Sequence, residues 1–217
     1  MNITPEIVDL IRTYVTDPGL TIQERTNEPE PAIATVREVD VFAHGNRIDA
    51  KYSSANYEVN LANYGGLSEV LRRLARNQLP VNDDPAPKGK YKSQLSLQNR
   101  KYCYVILKLT SKNWQFSRDK DPFSIGPGSV YFPPLYFEPR KVRDDGSVVT
   151  RGDIADDCKI AYFIADGATA NDLADSYEDP FNLHLEVVDR DWENNRSPVP
   201  IIIDPDVRYP GGSGEDP

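Results

Sequence analysis

Apolar positions first recur along the chain at helical spacing. In TPEIVDLIRTYVTDPG, Ile7, Leu10, Ile11 and Tyr14 fall on one face, Thr4 stands where an N-cap belongs and Pro5 at the first helical position, and Pro18-Gly19 stops the run. The pattern predicts a short amphipathic helix. It then changes to alternation: AIATVREVDVFAHGNRIDAKYSSANYEVNL gives two strand-like stretches around Gly45-Asn46, a pair suited to a tight hairpin turn. A second helix is predicted in GGLSEVLRRLARNQLP, where Leu67, Val70, Leu71 and Leu74 share one face and Arg72, Arg73 and Arg76 the other.

The segment Pro80–Lys90, PVNDDPAPKGK, is polar, proline-rich and aperiodic, the composition of a linker. After it, KSQLSLQN, KYCYVILKL, KIAYFIA, NLHLEVVD and VPIIID are apolar or alternating runs separated by turn clusters. Short strands without long helical patterns between them predict an antiparallel β-sandwich. The expected organisation is mainly β: residues 1–85 form a small α+β module of helix, hairpin and basic amphipathic helix, and residues 86–217 form the sandwich with a flexible C-terminal tail.

Composition narrows the function. The 217 residues include 18 prolines and 13 glycines, which fits many turns. A net charge of −9 repels polyphosphates and anionic lipid, so no nucleic acid and no membrane surface is expected as partner. No stretch reaches the length of an apolar membrane span, and MNITPEIVDLIRTYV has neither the basic start nor the apolar core of a signal peptide. A cytoplasmic protein is expected. Cys103 and Cys158 lie in strand-like runs and read as buried free thiols.

Motifs for nucleophilic catalysis, nucleotide binding or a His/Cys zinc site are lacking: there is no G-x-S-x-G, no Walker or Rossmann glycine pattern, and His44, Cys103, Cys158 and His184 have no ligand spacing. Three features remain. The run SIGPGSVYFPPLYFEP carries Tyr131, Phe132, Tyr136 and Phe137 among prolines that exclude a central strand; it covers an open core or forms an aromatic surface for a partner. The stripe of Arg72, Arg73 and Arg76 is a solvated face or a contact for an acidic surface, including one on a second copy. In VVDRDWEN, Asp189 and Asp191 sit two apart where a strand ends, so they project to one side as turn residues or as a hard-cation site for Ca²⁺ or Mg²⁺, with Asp166 or Asp175 as further donors. That stretch resembles one calcium-binding loop of C2 domains, without the usual glycine after the loop and without a second D-x-D loop.

FNLHLEV, an acidic turn, a second apolar strand and then DPDV resemble the C-terminal end of the PixA/AidA family of bacterial inclusion-body-type proteins. The resemblance implies a soluble β-sandwich and assigns no catalytic residue; Ile203 stands where the family has tryptophan before Asp-Pro. The resulting expectation is a non-enzymatic binding or self-assembly protein, acting through sheet edges and the aromatic, proline-rich segment, with a homo-oligomer or protein partner and no cofactor. The competing expectation is a divalent-cation-dependent hydrolase or transferase centred on Asp189, Asp191 and Asp206.

Overall fold

The computed structural model describes residues 30–44, 47–53, 57–79, 91–92, 95–96, 102–125, 136–165, 177–188, 199–203 and 206–209. The expected N-terminal helix, Gly45-Asn46, the whole of the 80–90 linker, Tyr131, Phe132, Asp189 and Asp191 lie outside them. What is described is mostly strand. No helix among the described residues is long and apolar enough to cross a membrane.

Seven strands form sheet one: β1 (Ile33–His44), β2 (Arg47–Ser53), β3 (Tyr57–Asn60), β4 (Tyr91–Lys92), β6 (Cys103–Leu109), β9 (Tyr136–Val142) and β10 (Ile160–Ala165). Its order is β4-β2-β1-β6-β10-β9, and β3 lies against the first half of β1 while β2 lies against the second. Sheet two comprises β5 (Leu95–Ser96), β7 (Trp114–Phe116), β8 (Phe123–Ile125), β11 (Tyr177–Val187), β12 (Val199–Ile203) and β13 (Asp206–Tyr209). Strand β11 organises it, pairing antiparallel with β7, β8, β12 and β13. Leu183 opposes Ile203 and Pro180 opposes Asp206, so β12 and β13 follow β11 in one unbroken register.

The all-antiparallel expectation is corrected, because β1 and β6 are parallel neighbours, with Ala34 opposite Tyr104 and Val39 opposite Leu109, and β13 and β5 are parallel as well. Parallel neighbours need a crossover rather than a hairpin. The crossover from β1 to β6 carries the only helix longer than one turn among the described residues, α1 (Leu67–Ala75), preceded by a 3-10 turn at Leu61–Tyr64. Strand pairing therefore runs across the expected 85/86 boundary, joining β1 to β6 in one sheet.

Burial follows the strand period of two. Even-numbered Ala34, Val36, Tyr104, Ile106, Ile160, Tyr162 and Ile164 form one buried cluster with Val70, Leu71 and Leu74 of α1. Odd-numbered Val39, Val41, Val105, Leu107, Ala161 and Phe163 form another with Phe116, Phe123, Leu183 and Leu185 of sheet two. The Phe123 and Phe163 rings meet edge-on at 4.5 Å across that second interior. Covered on both faces, β6 and β10 read as continuous apolar runs rather than as alternating ones.

Candidate functional site

Strand β9 leads from the aromatic segment to a cavity between two loops. It is an edge strand in sheet one, a position where Pro139 can sit without losing a ladder hydrogen bond. Tyr162 opposes Arg140 while Ile164 opposes Phe137, so Glu138 and Pro139 together face Phe163 as a β-bulge. Beyond the bulge, Pro139, Arg140 and Lys141 line a cavity of about 440 Å³ together with the β7–β8 loop at Asp119–Pro122 and the β9–β10 connection at Val149–Asp153.

Both loops are fixed by backbone bonds. Ser117 N donates to His184 O at 2.9 Å and His184 N donates to Pro122 O at 3.0 Å, so the β7–β8 loop leaves and rejoins β11 at one residue. The His184 ring donates from Nδ1 to Asp121 O at 2.9 Å, and burial lowers its pKa, which keeps it neutral at pH 7. Asp121 Oδ2 meets Arg151 Nε at 3.2 Å, joining the two loops.

Beneath lies a polar network of buried groups. Lys141, 6% exposed, donates from Nζ to Ser117 O at 2.7 Å and to Arg118 O at 2.6 Å. Burial lowers its pKa, opposed by Cys158, Asp121, Asp119 and Glu186. Glu186, 4% exposed, accepts from Gln115 Nε2 at 3.1 Å, Ser117 Oγ at 3.0 Å and Arg118 N at 3.1 Å. Gln115 Oε1 in turn accepts from Asp157 N at 3.0 Å. The network ties the edge of sheet one to β7 and β11 of sheet two. Beside it the Cys158 thiol is pushed up to about 11 by burial, so it stays protonated and unreactive at neutral pH. Cys103 and Cys158 are both free and buried.

Next in the chain after Asp153, which lines the cavity, comes Ile154, 69% exposed and the most exposed large apolar side chain among the described residues. Asp153 N bonds Thr150 O and Ala155 N bonds Arg118 O, each at 3.1 Å, and Ala155 is buried in the core between the sheets. The backbone on either side of Ile154 is thus held while its side chain meets solvent.

The arginine stripe has a nearer partner than another surface. Glu69 Oε1 accepts from Arg72 Nη2 at 2.5 Å and from Arg73 Nε at 2.8 Å, and these bonds hold its carboxyl down at about 2. Arg73 also lies over the Tyr64 ring at 5.4 Å. Arg76 ends the helix, exposed. Tyr136 and Phe137 occupy β9 opposite Ala165 and Ile164. Asp206 begins β13 opposite Pro180. Among the described residues no group of three or more His, Cys, Asp or Glu side chains is placed to hold a metal ion. The exposed Ile154 and the Lys141 network were missed in the sequence; Ile154, between Asp153 and the small Ala155 in a turn-rich stretch, was a signal of exposure, whereas the network joins residues too far apart in the chain to show any spacing.

No protein-family model matches this chain, and no curated protein is significantly similar to it.

Proposed function

We propose that the chain is a two-layer β-sandwich that works by non-covalent binding, and that a second copy of the chain docks on the face formed by Ile154 and the adjoining cavity. The observation that carries this reading is an exposed isoleucine on a fixed backbone, next in the chain to Asp153 of a concavity that Pro122 and Pro139 line among charged residues. Withdrawing such a side chain from water contributes about 1.5–3 kcal/mol. The cavity rim holds both signs of charge, Lys120, Arg140 and Arg151 against Asp119, Asp121 and Asp153. A face with a projection, a hollow and both charges is self-complementary about a two-fold axis.

Tyr136 and Phe137 precede, in β9, the residues Pro139–Lys141 that line the cavity. Arg72, Arg73 and Arg76, with only Glu69 acidic in the first turn of α1, leave that helix net positive and suited to steer the acidic partner copy. Two buried free thiols support a reducing, cytoplasmic setting. The resemblance to PixA/AidA-type proteins agrees with a β-sandwich and assigns no role.

Replacing Ile154 with Asp tests the reading by sedimentation velocity. The wild type is expected to sediment as a dimer and I154D as a monomer, with unfolding free energies within about 0.5 kcal/mol of each other because the site is on the surface. Identical sedimentation of the two proteins would overturn it.

A further inference from the structure

A second concavity, of about 580 Å³, lies where the C-terminal end of α1 meets the strand ends of sheet one. Four cations, Lys108, Lys112, Arg143 and Lys159, line it against two carboxylates, Glu38 and Asp144. This is a positive hollow in a chain of net charge −9.

Lys108 stands on its floor, its ammonium group hydrogen-bonded to neutral oxygens. Lys108 donates from Nζ to Leu74 O at 3.1 Å and to Asn77 Oδ1 at 2.5 Å, where Asn77, with φ at 54°, has turned out of the helix. Lys159 donates from Nζ to the carbonyls of Ser111, Lys112 and Trp114. Neutral acceptors satisfy the geometry of an ammonium group but do not cancel its charge. The consequence is visible at Lys108, where burial lowers the pKa even though Glu38 acts in the opposite direction. Around the rim, neither Lys112 nor Arg143 makes an ion pair with a carboxylate of the described residues.

We infer that this hollow binds a small oxygen-bearing dianion, held by Lys108 from the floor and by Lys112 and Arg143 from the rim. The dianion is a phosphate monoester or a dicarboxylate. The volume suits a metabolite-sized ligand, and a hollow already walled by α1, β6, β9 and β10 needs no large rearrangement to receive it. An arriving anion supplies the negative charge that the carbonyls lack, so it raises the Lys108 pKa and binding takes up protons at alkaline pH.

Calorimetric titration of the full chain with inorganic phosphate and, separately, with succinate at constant ionic strength is the test. Saturable binding is expected to one of them, and which one identifies the ligand chemistry. Affinity is expected to fall at least about tenfold in the double variant Lys112→Ala/Arg143→Ala, since charge-assisted bonds are lost. Titrations at about pH 9 in two buffers of different ionisation heat are expected to show net proton uptake. No saturable binding to either anion, or unchanged affinity in the double variant, would overturn the inference.

Discussion

Lys141 shows how this protein keeps a charge inside a β-structure. Its ammonium group has two carbonyl oxygens within hydrogen-bond distance and Glu186 across the same peptide, which itself collects three donors. Replacing Lys141 with Met leaves Ser117 O without its donor and Glu186 without the nearby cation, so a loss of about 2–3 kcal/mol is expected in urea unfolding at pH 7. The pH dependence has a definite sign. The folded pKa of Lys141 is depressed by burial, so on raising the pH the folded state releases this proton before the unfolded state does. Wild-type stability relative to Lys141→Met therefore rises with pH in the window below the ordinary lysine pKa of 10.5. A flat difference between pH 7 and about pH 10 would contradict that assignment. No local pattern marks this network, because Gln115 and Ser117, Lys141, and Glu186 come from three separate stretches. Glu69 is the opposite case: its spacing of three and four residues from Arg72 and Arg73 is legible in the sequence as an intrahelical pair.

Among the elements, those with strong periodicity were legible. Helix α1 appears at Leu67–Ala75 with Val70, Leu71 and Leu74 buried, and KYCYVILKL and KIAYFIA give β6 and β10. The second alternating stretch divides into β2 and β3, both lying along the same side of β1. Pairing between distant strands was not legible, since a continuous apolar run says that a strand is covered on both faces but not by what. The proline-rich linker drew a boundary that the sheet crosses: β1 pairs with β6 over Ala34–Val39, and α1 shares a buried cluster with Tyr104, Ile106 and Ile160. A fragment of residues 86–217 would expose that face of sheet one and the ladder edge of β6. It is expected to lack a cooperative urea transition by near-ultraviolet circular dichroism. A fragment that unfolds cooperatively at the midpoint of the full chain would restore the two-module division.

For the whole molecule, layering explains where a binding face can arise. One face of sheet one packs against α1, and the other shares an interior with sheet two, leaving functional surface to rims and loops. The β9–β10 connection provides such a rim. Its turn at Gly146 is seated on α1, where a Cβ would come within 2.4 Å of Arg72 Cα, and its Val149, Ala155 and Cys158 are buried in the core shared with sheet two. Fixed at both ends, the connection presents Ile154 to solvent, and in the proposed dimer Ile154 of one copy enters the cavity of another. Photocrosslinking from p-benzoylphenylalanine placed at position 154 tests this most directly, read by mass spectrometry of the crosslinked peptides. A covalent dimer is expected, with crosslinks in the partner copy's peptides that contain Pro122 or Arg140, and crosslinks confined to other peptides, or a chain that stays monomeric on irradiation, would contradict the proposed dimer.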